Sequence, residues 1–573
     1  IGFHNRGRAL EIITMSEPGF DSIFSGNTSD ICPVGALTTA DFRFGARPWE
    51  LKPAASICNH CPVGCNLVYN VRREARAGGG AVIKRVLPRQ NESVNEIWIC
   101  DKGRLGYHYA ESAARLTQPL LRKDGKLTPV TWEEALDQAA RKLKEANSVL
   151  GLAGGLLANE DLFNLRRLVE GMGGKLLLHS YMAGGEFTLS HGLASGSNLG
   201  ELGKGSVIVV AASDLHEEAP IWWLRVKQAA KRGARLVVIH ARPTRLDAYA
   251  SQVIRCAYGE EAQKLAGLLP ELGELENLVV FFGAEGQSLA GTRTLALAGA
   301  RLLDAAGRTG HKNSGLIGVW PSANTQGAYE IGLHPAEDLS AQLQSAGVVL
   351  IAAADPAGDD PEWAAALDQA AFVIVQEQFL TETARLADLV LPVSAQPERE
   401  GSYTSGERRV QRFYLAIPNK PGPRADFAIE AQIAQRLGLE LEGRSPALVL
   451  AQMAAILPAF AGLTYQKLAE APEQWPIIGR SDLYYGGTTY DNHQGLGVSL
   501  NLLPAAPLPD LTPMAAEPGN GLLVVPVSRL YDQGQMLRDT QLLDQRKARP
   551  QLSLNPVAAA RYGLHEGEIV EFR

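Results

Sequence analysis

The chain has 573 residues, of which 46% are hydrophobic and 20% are charged, and its formal net charge is −7 at pH 7. This balance is typical of a large globular protein, and the acidic charge argues against a nucleic-acid-binding protein. No apolar run reaches the roughly 18–20 residues of a membrane-spanning helix, so direct membrane insertion is not expected. The chain begins at Ile1 and ends at Arg573 within an expected strand, so we expect it to be cut at both ends.

Changes of composition along the chain predict five regions. Residues 1–50 are rich in glycine, arginine and polar turns, and residues 51–115 carry most of the cysteines. Residues 116–502 alternate apolar strands with amphipathic helices, which is typical of an α/β body. Residues 503–520 form a Pro-, Ala- and Gly-rich linker, and residues 521–573 predict a small β-rich domain around one short helix.

The α/β region contains clear start and stop signals. Thr131 and Glu134 predict a capping box at the start of an amphipathic helix. The short apolar runs 207–210 and 235–239 suit buried parallel strands, and residues 220–232 between them predict a helix. Together these segments predict a β-α-β unit.

A second β-α-β unit repeats features of the first at a constant offset of 141 residues. The matched pairs are 211–214 with 352–355, Pro220 with Pro361, Trp222 with Trp363, and Gln228-Ala229-Ala230 with Gln369-Ala370-Ala371. Matches in three segments at one offset predict two related lobes whose sheets superpose by one rotation. The alternative is that both units look alike because they obey the same packing rules.

Ligands of such sheets bind beyond the carboxyl ends of the strands. Here those ends carry Ser213-Asp214, Arg242-Pro243-Thr244 and Asp355-Pro356. None of these turns contains the GxGxxG pattern of a dinucleotide site. The strand ends therefore predict where a ligand would bind but not which one.

Five of the six cysteines lie in the first 100 residues, and four of them form the pattern Cys58-x2-Cys61-x3-Cys65-x34-Cys100. Clustered thiols in an otherwise thiol-poor chain predict metal ligation in a reducing compartment rather than disulfides. Zinc takes four thiolates around one point, usually from two short pairs. A [4Fe–4S] cubane needs one thiolate at each of four separate corners, so the three-plus-one spacing favours the cubane and leaves zinc as the alternative.

Residues beside the cysteines carry further expectations. Pro62 and Gly64 suit a loop that turns sharply around a cluster. Lys102 and Arg104 place positive charge next to the last cysteine, which would raise the reduction potential of a cluster, unless they only form a solvated basic turn. His60 is expected to be a neighbour of the cluster or a surface residue rather than a ligand.

These motifs resemble a known family. CNHCPVGC (58–65) with CDKGR (100–104) resembles the iron–sulfur domain that opens the molybdopterin oxidoreductases, a superfamily that includes formate dehydrogenases and nitrate reductases. FSGNTSDICPVGALTTADFRFGARPWEL (24–51) resembles the large iron–sulfur subunits, or G subunits, of bacterial NADH–quinone oxidoreductase, respiratory complex I. Residues 387–411 resemble the late segment of the superfamily, and residues 552–570 resemble its carboxy-terminal β-barrel-like domain.

The resemblance assigns roles to individual cysteines. It implies that one complete [4Fe–4S] cluster is bound by four residues, which are Cys58, Cys61, Cys65 and Cys100. It implies that Cys32 is the last ligand of a second [4Fe–4S] cluster whose other ligands lie upstream of this fragment. Cys256 has no cysteine or histidine neighbour in the sequence, and we expect it to be a buried structural thiol.

Two further expectations follow from the resemblance. In catalytic relatives the lysine that matches Lys102 lies between the cluster and the pterin, so Lys102 is a candidate cofactor-binding residue, although an empty fold would remove that task. The spacer before Cys100 is longer than is usual in the family. Residues 77–81 are therefore expected to be an insertion in a hairpin loop, which a surface loop accepts at little cost.

The resemblance implies a molybdopterin-oxidoreductase-like α/β body, but not a catalytic one. No cysteine lies between Asp101 and Arg255, so the thiol that ligates molybdenum or tungsten in formate dehydrogenases is absent. We therefore expect no molybdopterin and no catalytic site in this fragment. The expected function is that of an electron-transfer and scaffold subunit of NADH–quinone oxidoreductase, with the complete cluster off the main electron route.

This function implies partners and a location. The expected partners are the NADH-binding flavin subunit and neighbouring iron–sulfur subunits of the peripheral arm. The expected location is the cytoplasmic side of the bacterial inner membrane, as a peripheral part of a membrane complex. Two alternatives stay open: a catalytic subunit of a molybdopterin-dependent formate dehydrogenase-like enzyme, and a non-redox protein with a zinc or vestigial site.

Overall fold

The computed structural model describes residues 2–15, 17, 19–32, 35–75, 79–474, 492–511, 522–532 and 534–570. The predicted insertion at 77–81 and the predicted linker at 503–520 lie partly outside these residues, and the expected strand at 571–573 lies wholly outside them. Within the described part of the linker, residues 503–511, no helix or strand is present.

Strands and helices alternate through the middle of the chain. The strands are β1 (Gly2–His4), β2 (Glu11–Ile13), β3 (Lys52–Ile57), β4 (Asn66–Arg73), β5 (Ala81–Pro88), β6 (Leu120–Lys123), β7 (Lys126–Pro129), β8 (Val149–Gly154), β9 (Lys175–His179), β10 (Ser206–Ala211), β11 (Arg235–Ile239), β12 (Gln252–Ile254), β13 (Asn277–Phe282), β14 (Gly315–Gly318), β15 (Val348–Ala352), β16 (Val373–Glu377), β17 (Leu389–Pro392), β18 (Gly401–Thr404), β19 (Arg409–Phe413) and β20 (Val498–Ser499). The helices are α1 (Asn27–Ile31), α2 (Asp101–Leu105), α3 (Trp132–Glu145), α4 (Asn159–Gly171), α5 (Gly185–His191), α6 (Leu215–Glu218), α7 (Pro220–Lys231), α8 (Glu261–Ala266), α9 (Leu269–Leu272), α10 (Leu289–Ala305), α11 (Thr325–Glu330), α12 (Leu339–Gln344), α13 (Pro356–Asp359), α14 (Pro361–Leu367), α15 (Glu382–Leu386), α16 (Asp426–Leu437), α17 (Pro446–Ile456), α18 (Tyr465–Leu468) and α19 (Pro556–Arg561). None of these helices is long and apolar enough to cross a membrane, as far as the described residues go.

The α/β body is built on two largely parallel sheets. The first has the strand order β12-β11-β10-β13-β14, and all of its neighbouring pairs are parallel. The second has the order β7-β6-β17-β16-β15-β8-β9, in which the antiparallel hairpin β6-β7 extends one edge of a parallel sheet. Because helices cover both faces, central strands such as β10 and β15 are buried along their whole length, which explains their continuous apolar sequence.

The start of α3 shows part of the predicted capping box. The hydroxyl of Thr131 accepts a hydrogen bond from the backbone amide of Glu134 at 3.2 Å and so caps the helix. The Glu134 carboxylate instead contacts Lys123 Nζ at 2.7 Å. One half of the predicted capping box is therefore present, and the other half is replaced by a surface ion pair.

The two β-α-β units at the 141-residue offset lie in different sheets, one on β10 and the other on β15. Both strands are followed by an alanine with φ of 51°, Ala212 and Ala353. Both helices, α7 and α14, begin at a proline and carry their tryptophan as the third residue. Trp222 is fully buried, whereas Trp363 is partly buried against His179. The superposition of the two sheets by one rotation stays a prediction.

The cysteine-rich region packs directly on the body. Its antiparallel sheet β3-β4-β5 is followed by a turn and the short helix α2. Its apolar side chains join one continuous cluster with side chains of α7 and the first sheet; examples are Leu67, Ile83, Val86 and Ile99 beside Ile208, Ile221, Trp222 and Phe281. The predicted boundary near residue 115 is therefore not a break in the hydrophobic core.

The predicted β-rich domain at the carboxyl end is not seen. Among residues 522–532 and 534–570 the structure has the predicted short helix, α19, but no strand. The apolar side chains of Leu522, Leu523 and Val524 remain exposed. A strand is stable only when it pairs with neighbours and packs one face. This segment has no paired neighbour among the described residues, which is why its strand-like composition is misleading.

Candidate metal centre

Three of the predicted ligands lie on the loop that joins β3 to β4. The backbone amide of Cys58 donates to the carbonyl of Cys65 at 2.9 Å and closes the base of this loop. Gly64 has a φ of +70°, and a Cβ there would lie 2.6 Å from Gln411 Nε2. Both the left-handed backbone and the close contact require glycine. Cys58 and Cys65 are buried, and Cys61 is half-buried.

Cys100 reaches the same place from the start of α2. It is the residue that precedes the helix, and it is buried. A Cβ on Gly103, one turn further, would lie 3.1 Å from Cys58 Sγ and 3.9 Å from Cys100 Sγ. The missing side chain thus lets two sulfur atoms from distant parts of the sequence face one space.

All four of these cysteines line one cavity. Apart from the cysteines, the lining residues are His60, Ile99, Lys102, Gly103, Glu217, Glu218, Pro220, Ile221 and Leu530. Zinc would need its four ligands around a single point, usually from two short pairs of residues. One thiolate at each of four separate corners is what a [4Fe–4S] cubane takes. The donor set and the room left at Gly103 therefore fit the cubane.

Burial raises the pKa of all four thiols, to about 12 for Cys100. Desolvation disfavours the thiolate, and the neighbouring thiols add to this effect. Buried thiolates of this kind need positive charge close by, and metal ions supply it. Without such positive charge the four groups stay protonated thiols near neutral pH, which are not reactive nucleophiles.

His60 lies in the lining of the cavity. Its ring meets the Tyr109 ring edge to face, with centroids 6.5 Å apart. Desolvation, aided by the charge of Lys102, lowers the pKa of His60 to about 3, so the imidazole is neutral. The structure thus places His60 beside the cysteines as a neutral neighbour.

The cysteine loop rests on a segment far away in sequence. The backbone amide of Gly406 donates to the Pro62 carbonyl at 2.8 Å, and Gln411 Nε2 donates to the Gly64 carbonyl at 2.8 Å. Gln396 Nε2 donates to the carbonyl before Cys58, that of Ile57, at 2.7 Å. These donors come from β19 and the turns near β18, within the segment 387–411. No local sequence signal links them to the cysteines, because about 340 positions separate the partners.

The two remaining cysteines, Cys32 and Cys256, do not line this cavity. Cys32 is half-buried and follows the last residue of α1. Cys256 is half-buried against the main core, and burial raises its pKa to about 11. The expectation of a buried structural thiol is therefore met only in part for Cys256.

Arg104 contacts polar side chains of α1. Its guanidinium is buried and contacts the Asp30 carboxylate at 2.5 Å and Asn27 Oδ1 at 3.0 Å. Asn27 Nδ2 also donates to the carbonyl of Ile99 at 2.8 Å. Arg104 therefore ties α1 to α2, and Asp30 offsets its charge. This pairing argues against an effect of Arg104 on the potential of a cluster, which stays a prediction.

Lys102 lines the cavity but turns toward the carboxyl-terminal segment. Its Nζ donates to Asp532 Oδ2 at 2.7 Å. No local pattern indicates this partner, because it lies 430 positions away. The role of Lys102 in cofactor binding stays a prediction.

Side chains at two of the three predicted strand ends, Arg242 and Asp214, lie in contact. Arg242 forms a two-point contact with Glu285, at 2.7 Å and 2.6 Å, and its Nη1 lies 3.1 Å from Asp214 Oδ2. Asp355 ends a strand of the other sheet and accepts from the backbone amide of Thr383 at 2.7 Å. The charged groups at the end of the first sheet thus pair with one another.

Comparisons with known proteins agree with this architecture. The family model described as molybdopterin oxidoreductase matches residues 115–436, which is more than half of the chain. The chain belongs to the molybdopterin oxidoreductase family. Two further models match upstream of this molybdopterin oxidoreductase body. They are described as NADH-quinone oxidoreductase subunit 3, ferredoxin-like domain, over residues 1–38, and as NADH-ubiquinone oxidoreductase NDSU1/NuoG-like, 4Fe-4S domain, over residues 52–108.

Two relatives of the chain are named as subunits of NADH-quinone or NADH-ubiquinone oxidoreductase. The chain is 31% identical to the G subunit of NADH-quinone oxidoreductase from Streptomyces coelicolor, over 75% of this chain and 58% of that protein. It is 29% identical to the mitochondrial NADH-ubiquinone oxidoreductase 78 kDa subunit of Neurospora crassa, over 80% of this chain and 61% of that protein. The resemblance to the bacterial G subunits is confirmed, and the chain spans about three fifths of the length of these relatives.

A solved structure supports the fold of this molybdopterin oxidoreductase family member. Acetylene hydratase from Pelobacter acetylenicus has a TM-score of 0.51 and 15% sequence identity, covering 72% of this chain and 73% of that chain. This likeness concerns the fold alone. With the family match and the two parallel sheets, it confirms the predicted class of an α/β body that follows an iron–sulfur domain.

Proposed function

We propose that this chain is an electron-transfer and scaffold subunit of an NADH–quinone oxidoreductase, and that its four clustered cysteines hold one [4Fe–4S] cluster. The observation that carries the proposal is the convergence of Cys58, Cys61, Cys65 and Cys100 on one cavity. The match of residues 52–108 to a 4Fe-4S domain and the names of the relatives support it. When bound, such a cluster gives and takes single electrons at a potential set by nearby charge and solvent exposure.

The chain's own residues fix and insulate this site. Hydrogen bonds from Gln396, Gly406 and Gln411 hold the cysteine loop against the α/β body. Apolar side chains on α7 and beside Cys100 form part of the cavity lining. A rigid, partly apolar setting suits an electron-transfer or structural cluster.

A second cluster is proposed at the amino-terminal end. We assign Cys32 as one ligand of a [4Fe–4S] cluster whose other ligands lie outside this sequence. The match of residues 1–38 to a ferredoxin-like domain supports this assignment. Because α1 is joined to α2 through Arg104 and Asp30, the two cysteine-bearing segments are held in a fixed relation.

We propose that the α/β body holds no molybdopterin in this protein. Close packing on the body side of the cysteine loop supports this proposal: a Cβ on Gly406 would lie 2.6 Å from the Trp222 ring, whose Nε1 donates to Glu407 at 2.7 Å. Arg408 beside them is fully buried and contacts Glu330 at 2.6 Å. The thiol metal ligand of formate dehydrogenases is also missing from residues 101–255.

The proposed setting is the peripheral arm of a membrane complex, on the cytoplasmic side of the bacterial inner membrane. Its partners there would be the flavin-containing NADH-binding subunit and neighbouring iron–sulfur subunits. The relatives are named as subunits of an oxidoreductase, which supports assembly with other chains. The catalytic activity would then belong to the assembly and not to this chain.

The second candidate is a catalytic subunit of a molybdopterin-dependent, formate dehydrogenase-like enzyme. The match of residues 115–436 to the molybdopterin oxidoreductase model favours it. The two candidates differ in what the cysteine site does. For the first candidate we propose that the complete cluster lies off the main electron route and stabilises the protein, whereas in a pterin enzyme it is the outlet for electrons from the metal site.

The test is NADH–quinone turnover per assembled complex for Cys61→Ser, with Cys256→Ser as a matched control outside the cavity. We expect Cys61→Ser to reduce the amount of assembled complex and to leave turnover per complex near normal. The control should change neither quantity. A loss of turnover of more than about tenfold, roughly 1.4 kcal/mol if read as a barrier, with assembly unaffected, would overturn the structural role proposed for this cluster.

A further inference from the structure

A segment near the carboxyl end closes one side of the metal centre. Residues 530–532 and 534–546, named the cap here, run across α2 and the cavity. Leu530 lines the cavity together with the four cysteines. The apolar side chains of the cap form a small buried cluster with the loop before α1 and with α2; its members are Leu530, Tyr531, Leu537, Leu543, Ile23 and Leu105. The cap therefore has its own apolar attachment to the cysteine-rich region.

Hydrogen bonds and ion pairs hold the cap in place at several points. The backbone amide of Leu530 donates to Glu217 Oε2 at 3.0 Å. The hydroxyl of Thr540, which is 1% exposed, donates to the carbonyl of Leu105 at 3.4 Å. Arg546 forms an ion pair with Asp21. The cap is thus anchored to α6, to α2 and to the segment before α1.

The cap brings a carboxylate to the one lysine of the cavity lining. Lys102 Nζ donates to Asp532 Oδ2 at 2.7 Å, and the side chains are 12% and 50% exposed. Desolvation of Asp532 is outweighed by the Lys102 ammonium group, which lowers the pKa of that carboxyl. The 2.7 Å contact between Lys102 Nζ and Asp532 Oδ2 thus pairs a lysine of the cavity lining with a carboxylate of the cap.

The other titratable groups of the lining have partners of their own or are neutral. Glu217 lies 3.4 Å from His216 and 3.9 Å from Arg529. Desolvation raises the pKa of Glu218 to about 8, and its carboxyl accepts from Ser213 Oγ at 2.5 Å. The His60 ring packs edge to face against the Tyr109 ring, with centroids 6.5 Å apart. Lys102 is thus the cation whose charge an incoming electron would meet, and Asp532 is the group that offsets it.

We propose that Asp532 is a positioning residue for the iron–sulfur site: it holds Lys102 and offsets its charge, and it thereby lowers the reduction potential of the cluster. Reduction adds one negative charge to a cluster, so an uncompensated ammonium group nearby favours the reduced state. A carboxylate bound to that ammonium group removes most of this advantage. The inference rests on the [4Fe–4S] site proposed above.

The experiment is a redox titration of the full-length protein in its assembled complex, followed by electron paramagnetic resonance of the reduced cluster. In Asp532→Asn we expect the equilibrium constant for reduction to rise at least about threefold, or about 28 mV at 59 mV per tenfold change for one electron. Lys102→Met should shift the potential the opposite way. Asp532→Glu, which keeps the charge, should stay near the wild-type value.

Asp544→Asn is the matched control. Asp544 lies on the same cap, is 58% exposed and pairs with Lys547 at 2.7 Å, so its substitution removes an equal charge away from the cavity. This variant should leave the potential unchanged. Asp532 is half-exposed, so its substitution should not prevent folding.

The outcomes separate the two proposals. If the wild-type protein lacks the cluster signal that depends on Cys58 and Cys100, the iron–sulfur site itself is refuted. If that signal is present and Asp532→Asn leaves the potential within threefold of wild type, or changes it no more than Asp544→Asn does, the role of Asp532 is refuted and the site stands.

Discussion

The cysteine-rich region and the α/β body are held together by different physical means. The body buries whole strands, such as β10 and β15, and each fully buried aliphatic side chain contributes about 1.5–3 kcal/mol. In the cysteine-rich region, the loop 58–65 instead gathers thiols and relies on hydrogen bonds to a distant segment. One chain thus combines a body set by apolar burial with a cysteine loop set by a few polar contacts to distant residues.

The two regions are not independent, however. The sheet β3-β4-β5 packs into the same apolar cluster as α7 and the first sheet of the body. Loss of the metal should therefore loosen the cysteine loop and α2 while the shared core keeps the sheet in place. This difference between loop and sheet is what the first prediction measures.

The largest effect is expected from removing a metal ligand. Cys58→Ser and Cys100→Ser should each lose the absorbance of one [4Fe–4S] cluster and increase amide hydrogen exchange in the loop 58–65 and in α2, because bound metal stabilises the region that ligates it. Exchange in β10 and β15 should stay slow. Cys256→Ser serves as the control. Full iron content in both ligand variants would refute the assignment of the site.

The next largest effect is expected on the stability of the body alone. Arg408→Met leaves Glu330 buried without its partner, and both side chains of this pair are fully buried. Breaking such a pair costs about 3–5 kcal/mol in the free energy of unfolding. We expect the body to unfold at a clearly lower denaturant concentration than in the wild type. The iron content of the folded protein should be unchanged. The exposed pair of Arg385 with Glu382 is the control, and Arg385→Met should cost under about 1 kcal/mol.

If Arg408→Met removed the iron along with the stability, the two regions would unfold as one unit. The contrast between a metal-held loop and an apolar body would then fail. Equal losses of stability in Arg408→Met and Arg385→Met would show instead that the buried pair contributes no more than a surface pair.

A smaller effect depends on pH. Asp161, Asp426 and Glu430 surround Arg399 in the interior of the body, and desolvation raises the pKa of Glu430 well above its usual value. Desolvation, with the nearby carboxylate of Asp161, raises the pKa of Asp426 to about 8. A carboxyl whose pKa is raised in the folded state contributes stability that is full at pH 4 and is lost as the pH rises through the folded-state pKa.

Glu430→Gln removes one of these titrating groups. We expect the variant to be more stable than wild type at pH 8.5, by on the order of 1 kcal/mol, and of similar stability at pH 4. Glu430 Oε1 accepts from Gln376 Nε2 at 3.3 Å, and a glutamine carbonyl keeps this contact. The measurement is chemical denaturation at both pH values, with the exposed Glu382→Gln as control. A gain that is equal at the two pH values would contradict the titration account.

Most of the body could be predicted from the sequence, because its strands and helices are set by local patterns. The predicted strand at 207–210 and helix at 220–232 correspond to β10 and α7. The four thiols were also predictable, since metal chemistry constrains their number and spacing. The strands predicted after residue 521 are not seen among residues 522–532 and 534–570, because apolar composition without a pairing neighbour does not make a sheet.

What the sequence could not predict are contacts between distant positions. Asp532 meets Lys102, and Gln411 supports Gly64, across 430 and 347 positions respectively. Proximity to Cys100 in the sequence predicts that Arg104 lies beside the cluster, but its long side chain reaches Asp30 instead. Such pairings depend on how whole elements pack, which no local pattern encodes.

The most direct test of the central claim is an analysis of the metals and pterin in the purified full-length protein and its Cys58→Ser variant. We predict iron with acid-labile sulfide in the wild type, about four iron atoms fewer in the variant, and no molybdenum, tungsten or pterin in either. Pterin with molybdenum or tungsten would contradict the proposal of an empty α/β body. Zinc in place of iron, or equal iron in both proteins, would contradict the [4Fe–4S] site itself.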